Sequence, residues 1–189
     1  MKRRMILLAV LLPLSFCSLA QAGAIPPTKI STVSNWKFTL GDPASAKDAK
    51  FDDSKWQAVS VPHDWMARQP YSADNPSASR NGCLPTGKTC WYRTTLNHVG
   101  HATYKARQIL VFDGIMSRAD VYLNGTHLGH WPYGYAPVVF DLTGKLKEGK
   151  NTVAVRIDMS KKFPAARWYS GMGIIRSVRK YSAPKEGLA

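Results

Sequence analysis

The chain has 189 residues, of which 44% are hydrophobic and 11% aromatic, a composition typical of one globular domain rather than a disordered segment. Lysine and arginine number 26 against 12 acidic residues, and only two of the acids are glutamates, Glu148 and Glu186. A complete (β/α)₈ barrel needs about 250 residues on its own, so the length excludes that architecture and the enzymes built on it.

The first 22 residues have the pattern of a secretory signal peptide. Three basic residues at positions 2–4 precede an apolar run at 5–16, and Ala20-Gln-Ala22 follows. The apolar run is about half of the roughly 20 residues that span a membrane, and Pro13 interrupts it. We therefore expect cleavage after Ala22, a periplasmic or secreted protein and no membrane segment afterwards. A retained anchor, or a lipid on Cys17, is the alternative.

The next segments predict an opening strand at 35–40, a turn at 51–56 and a long exposed loop at 69–88 that is rich in proline and glycine. Near the end of that loop lie Cys83 and Cys90. In an oxidising compartment such a pair favours a disulfide, which would stiffen residues 81–91. Two free thiols are the alternative. No histidine-rich pattern accompanies the cysteines, so the sequence predicts no metal site and no cofactor.

Further along the chain, apolar residues alternate in short runs separated by Gly, Pro, Asn and Asp. Strand period dominates over helix period. Asn124-Gly125 after residues 121–123 predicts a hairpin with a type I′ turn, with the return strand beginning at 127–129. The pattern predicts an all-β fold, an antiparallel sandwich or barrel, with strands at 91–96, 108–112, 119–123, 138–141 and 151–157.

The excess of positive charge raises the question of whether the protein binds nucleic acid. Removal of the three basic residues at 2–4 lowers the formal net charge from +14 to +11, so the mature protein stays basic. Clustered cations drive binding to nucleic acid or other acidic polymers. Here the cations are scattered, and the densest run, at 145–150, is typical of a solvated turn. We therefore expect no nucleic-acid partner.

Ten segments together resemble the N-terminal sugar-binding domain of glycoside hydrolase family 2, particularly its β-galactosidase branch. They occur in the family's order and include Val61-Pro-His-Asp-Trp65, Asp74-Asn-Pro-Ser77 and Arg167-Trp-Tyr-Ser-Gly-Met-Gly-Ile-Ile-Arg176. The others lie at 51–56, 91–93, 112–114, 121–125, 134–135, 140–143 and 151–158. The resemblance implies a jelly-roll β-sandwich, akin to galactose-binding domains, over residues 23–182.

In that family an immunoglobulin-like domain and a catalytic (β/α)₈ barrel follow, and the resemblance implies that residues 183–189 are a tail truncated before them. The retaining mechanism needs two carboxyl groups about 5 Å apart, and the family's glutamates for it lie on the barrel. Glu148 falls in a predicted turn and Glu186 in the tail, while Asp52 and Asp53 are adjacent residues of a turn. We therefore predict no catalytic residue in this chain.

The predicted function is the non-catalytic sugar-binding part of a β-galactosidase-like retaining exo-glycosidase. Its expected partners are a β-galactoside or related glycan, and the barrel domains or a downstream chain that carries them. A free-standing, lectin-like carbohydrate-binding module is the alternative from another functional class.

The resemblance also implies the sugar contacts. The best match to the family's sugar-contacting acid is Asp158, followed by Arg167 and Trp168, and a second loop offers Asp74 and Asn75. Planar polar groups and aromatic faces are what a pyranose requires. Three alternatives remain open: Asp158 as the cap of a turn, Arg167 as an intradomain ion-pair or cation–π partner, and Trp168 in core or interface packing.

His63 and Asp64 could suggest a catalytic dyad. Adjacent side chains do not aim at each other, however, and no nucleophile motif accompanies them. We expect instead a turn whose polar groups bind the backbone or a neighbouring domain.

Overall fold

The computed structural model describes residues 28–75, 83–85, 87–100, 106–160 and 169–183. The predicted signal peptide, Glu186, Arg167 and Trp168 lie outside these ranges. Within them, no helix combines the length and the apolar character required to cross a bilayer.

The described chain folds into two antiparallel sheets, which confirms the all-β sandwich. The strands are β1 Lys29–Thr32, β2 Asn35–Leu40, β3 Gln57–Ser60, β4 His63–Asp64, β5 Thr89–His98, β6 Arg107–Phe112, β7 Ala119–Leu123, β8 Thr126–Trp131, β9 Val138–Asp141, β10 Gly149–Asp158, β11 Gly173–Ile174 and β12 Val178–Ala183. Four strands form one sheet in the order β1-β12-β6-β9, and six form the other in the order β3-β2-β5-β10-β7-β8. The strands β4 and β11 pair in a separate two-stranded ribbon.

The core lies between the two sheets because every second side chain of the central strands points inward. In β10 the inward positions carry Val153, Val155 and Ile157, all fully buried, and in β6 they carry Leu110 and Phe112. Residues of both sheets belong to one hydrophobic cluster. The apolar residues that occur at every second position of these strands are thus the residues that are buried.

The predicted hairpin is confirmed. Asn124 and Gly125 have φ values of +51° and +88°, and they join Leu123 directly to its partner Thr126. Two positive φ values in a two-residue loop are the requirement of a type I′ turn. The return strand β8 begins one residue before the predicted segment.

The predicted disulfide is absent from the structure, where Cys83 and Cys90 are both free. Cys90 points into the core and is fully buried, and burial raises the pKa of its thiol. Cys83 lies in the loop with a φ of +64° and is only partly buried. Strand alternation at the start of β5 therefore directs Cys90 away from the loop that the bridge was expected to stiffen.

Candidate functional site

The loops that carry the predicted sugar contacts meet at one end of the sandwich. There β5 begins and β10 ends, because Thr89 pairs with Asp158 in the antiparallel register. Backbone hydrogen bonds join this edge to residues 64–75, 83–85, 87–88, 114–118, 132–135 and 169–173. We call it the Asp158 end.

Asp64 organises the centre of this end. One carboxylate oxygen accepts hydrogen bonds from the backbone N–H groups of Met66 at 3.1 Å and Met172 at 3.0 Å. The other accepts the Tyr169 hydroxyl at 2.5 Å. Burial, followed by the hydrogen bond to Asp64, raises the pKa of Tyr169. The carboxylate thus ties the 169–172 segment to the turn after β4.

Close approach of the two short strands depends on glycine. Gly173 has a φ of +144°, and a Cβ there would lie 2.5 Å from the Tyr92 hydroxyl oxygen and even closer to the backbone carbonyl of His63. Only glycine can adopt this positive φ and also leave room for Tyr92 and the His63 carbonyl. The Met-Gly-Ile part of the 167–176 segment is therefore needed to close the β4-β11 ribbon over Asp64.

His63 turns inward, away from Asp64. Its Nδ1 lies 2.7 Å from the Tyr92 hydroxyl oxygen in a buried pair. Burial lowers the pKa of His63, which favours the neutral ring. The two adjacent residues therefore do not form a dyad: Asp64 binds backbone groups, as predicted, and His63 is a packed core residue.

Asp158 holds the turn that follows β10. Its Oδ1 accepts the Ser160 backbone N–H at 2.9 Å and the Ser160 hydroxyl at 2.5 Å, and its Oδ2 accepts an Arg156 guanidinium N–H at 3.2 Å. Burial raises the pKa of Asp158, but the hydrogen bonds from Ser160 and Arg156 outweigh it and lower the pKa to about 2. The capping role left open by the sequence is therefore present, with 18% of the side chain exposed.

The second predicted loop lies at the same end. Asn75 donates from its side-chain amide to the Cys83 carbonyl at 2.7 Å, which fixes the amide across the loop. The side chain of Asp74 is exposed and lies near the Ser72 hydroxyl, with 3.5 Å between the two oxygens. The structure thus brings Asp74, Asn75 and Asp158 to one end. Arg167 and Trp168 lie outside the described residues.

Four exposed tyrosines at this end were not predicted as site residues. They are Tyr71, Tyr133, Tyr135 and Tyr169, with 40% to 74% of each residue exposed. The rings of Tyr133 and Tyr135 pack edge to face with centroids 5.8 Å apart, and the Tyr135 hydroxyl donates to the Tyr169 carbonyl at 3.4 Å. Two of these tyrosines could have been found from the sequence, because the segment Pro132-Tyr-Gly-Tyr135 places two aromatic residues in a turn where strand alternation has ended.

Five of the described carboxylates have the electrostatics of ion pairs and caps rather than of an acid catalyst. Hydrogen bonds from neighbouring donors outweigh the effect of burial, so the pKa is lowered for Asp42, Asp52, Asp53, Asp141 and Asp158. Asp42 and Asp158 both bind the Arg156 guanidinium, which keeps the two ionised side by side. Over the described ranges, no group of three His, Cys, Asp or Glu residues could hold a metal ion.

Comparison with known proteins agrees with this architecture. The family model described as glycosyl hydrolase 2 galactose-binding domain-like matches residues 47–171. A β-galactosidase of Bacteroides ovatus is 41% identical over 145 residues, which is 76% of this chain and 17% of that protein. A putative β-glucuronidase of Formosa agariphila is 36% identical, over 77% of this chain and 14% of its own length.

Among solved structures, a β-glycosidase from Bacteroides vulgatus superimposes with a TM-score of 0.74 at 36% identity, and the match covers 82% of this chain and 20% of that one. The chain therefore spans a fifth or less of the length of these relatives.

Proposed function

The chain belongs to glycoside hydrolase family 2, within its galactose-binding-like domain, and from this we propose that it is the non-catalytic, sugar-contacting portion of a β-galactosidase-like retaining exo-glycosidase. In this role it helps to hold a β-galactoside or related glycan, and a barrel domain, on the same or another chain, performs the hydrolysis.

The proposal that the chain is non-catalytic rests on the lowered pKa values of Asp42 and Asp158. A retaining glycosidase needs one carboxyl group with a raised pKa to protonate the leaving group, and a second carboxylate about 5 Å away. The two carboxylates that share Arg156 are instead held ionised: the hydrogen bond from Arg156 lowers the pKa of Asp42, and hydrogen bonds from Ser160 and then Arg156 lower the pKa of Asp158. Neither can act as the general acid near neutral pH.

The sugar-contacting part rests on the chemistry gathered at the Asp158 end. A pyranose offers C–H groups to aromatic faces and hydroxyls to planar polar side chains. Tyr71, Tyr133 and Tyr135 supply exposed rings, and Asp74 and Asn75 supply polar groups at the same end of the sandwich. We propose that Asp158, Arg167 and Trp168 contribute further sugar contacts, as the family resemblance implies.

We also propose that the protein acts outside the cytoplasm, from the signal-peptide pattern at residues 1–22. Fractionation of cells producing the chain, with mass analysis of its N-terminus, tests this. An N-terminus at residue 23 in the exported fraction supports cleavage after Ala22, and an uncleaved cytoplasmic product contradicts it.

Titration of the purified chain with methyl β-galactoside, followed by calorimetry or NMR shifts, tests the sugar contact. We expect weak binding, in the millimolar range, that Asn75→Ala abolishes and that Asn97→Ala, at the opposite end of β5, leaves unchanged. Micromolar binding would favour the lectin-like module instead. The absence of saturable binding at about 50 mM sugar would contradict a sugar-contacting role for the isolated chain.

A further inference from the structure

The outer face of the four-stranded sheet carries apolar side chains where an antiparallel sheet usually carries polar ones. In β6 the inward positions are Leu110 and Phe112, so Ile109 and Val111 point outward, and both are only partly buried. Five apolar residues share this outward face: Ile30, Ile109, Val111, Val139 and Tyr181. None of them belongs to a hydrophobic cluster of the described residues.

The register places these five residues side by side across all four strands. Ile30 lies opposite Tyr181, and Tyr181 lies opposite Ile109. In the next outward row, Val111 lies opposite Val139. Ile30 and Val139 are 60% and 59% exposed, and they lie on the two edge strands. The apolar surface therefore crosses the whole width of the sheet and is open to solvent at both edges.

The six-stranded sheet shows how an outer face is covered when the chain itself supplies the cover. Trp91 of β5 and Ala154 of β10 point outward, yet they are 3% and 0% exposed. They form a cluster with Ala46 and Trp56, so the segment at 46–56 lies over this face. Within the described ranges, no comparable cluster forms over the outer face of the four-stranded sheet. An open apolar face of this kind is typical of a docking surface.

The charged groups on this face are paired with one another. Arg179 donates to Asp113, with 2.6 Å between the nitrogen and the oxygen. Hydrogen bonds from Thr143, and then the charge of Arg107, lower the pKa of Asp141. Each of these cations thus has a carboxylate near it, so the face has little excess charge to attract an ionic ligand and suits an apolar partner.

The size of the face decides between a second copy and a neighbouring domain. Three strand spacings of about 4.8 Å and two outward rows about 7 Å apart, together with the side chains, give roughly 300 Å². A stable dimer buries about 800 Å² on each partner, whereas domains of one protein bury about 300–750 Å² on each side of their interface. The formal net charge of +14 also makes two copies of the chain repel each other.

The comparisons indicate which neighbouring domain is available. The β-galactosidase and β-glycosidase relatives are much longer than this chain, which spans a fifth or less of their length. A domain that forms a fifth of a larger protein needs a surface against the rest of it. The open apolar face has the size and the charge balance for that contact.

We propose that the outer face of the four-stranded sheet docks against the part of a family 2 glycosidase that carries the catalytic barrel, on the same or another chain. The partner presents an apolar surface of similar size, and Ile109, Val111 and Tyr181 form the centre of the contact. The inference rests on the proposed function, in which this chain acts beside the domain that performs the hydrolysis, and it assigns the face that holds the two together.

A fusion in which this chain replaces the matching segment of the Bacteroides ovatus β-galactosidase tests the proposal. Hydroxyl-radical oxidation, measured residue by residue with mass spectrometry, reports side-chain exposure in the fusion and in the isolated chain. We expect the oxidation of Ile30 and Val139 to fall roughly threefold or more in the fusion, because exposed side chains become buried there. Tyr122 and His127, on the outer face of the six-stranded sheet, should be oxidised equally in both proteins.

Two variants of the fusion separate docking from a general effect of charge. Val139→Lys places an unpaired charge on the proposed contact, so the oxidation of Ile30 should return to its level in the isolated chain. Thr95→Lys places the same charge at an exposed outward position of the six-stranded sheet and should leave Ile30 as protected as in the unmodified fusion.

Equal oxidation of Ile30 and Val139 in the fusion and in the isolated chain would overturn the proposal, as would equal effects of the two lysine variants. Failure of the fusion to fold also counts against it, because a docking face should accept the remaining domains of a relative with 41% identity. A stable dimer of the isolated chain in sedimentation, split by Val139→Lys, would assign the face to a second copy instead.

Titration with methyl β-galactoside keeps this inference distinct from the proposed sugar contact. Protection of Ile30 and Val139 without galactoside binding would refute the sugar contact alone. Galactoside binding that depends on Asn75, without protection of the two apolar residues, would refute the docking face alone.

Discussion

Removal of Asp53 should destabilise the domain far more than removal of its exposed partner. Arg93 of β5 is 3% exposed, and its Nε donates to Asp53 at 2.8 Å. Its Nη1 also donates to the Ala46 carbonyl at 2.5 Å, and the guanidinium lies 5.5 Å from the Phe51 ring centre. The turn at 51–56 and the strand segment 91–93 are thus joined through one buried cation.

The size of the effect follows from burial. Loss of one partner of a buried ion pair costs about 3–5 kcal/mol, and Arg93 keeps its carbonyl acceptors, so we expect about 3 kcal/mol for Asp53→Ala. Lys37 also binds Asp53, at 2.6 Å, but 43% of its side chain is exposed. Exposed pairs contribute about 0–1 kcal/mol, which is the cost we expect for Lys37→Met.

Urea unfolding followed by tryptophan fluorescence measures both variants. If Asp53→Ala cost no more than Lys37→Met, the explanation from a buried charge would be wrong.

Three further predictions use the same unfolding assay. Gly173→Ala should cost about 2–6 kcal/mol, since backbone strain and overpacking each contribute about 1–3 kcal/mol; a loss below 1 kcal/mol would contradict the close approach to Tyr92. Stability should fall as the pH drops from about 4 to 2, because the pKa values of Asp53 and Asp158 are lowered in the folded state; a flat urea midpoint across that window would refute this. Tyr169→Phe should cost about 1 kcal/mol, and an unchanged midpoint would count against the hydrogen bond to Asp64.

The sequence predicts the strands whose inward positions are mostly apolar. β7 and β9 match the expected segments residue for residue, and β10 extends the expected one at both ends. The strand β12 was missed because its inward positions after Val178 are Lys180 and Ser182, which removes the alternation that identifies a strand.

Part of the placement of the candidate residues was predictable, and their role in sugar contact stays a prediction. Asp74, Asn75 and Asp158 follow from the family resemblance, and the structure places them at one end. The organising role of Asp64 could not be predicted, because it depends on hydrogen bonds from the 169–172 segment, which lies about a hundred residues later in the chain. Contacts of that range leave no local signal, whereas the exposed tyrosines at 133 and 135 could have been noted from their turn.

Incubation of highly purified chain with an aryl β-galactoside tests the central claim most directly. We predict no release of the aryl group above the uncatalysed rate. Sustained release that co-purifies with the chain, and that Asp158→Asn or Asp42→Asn abolishes while the variant stays folded, would show that these carboxylates cleave the glycosidic bond.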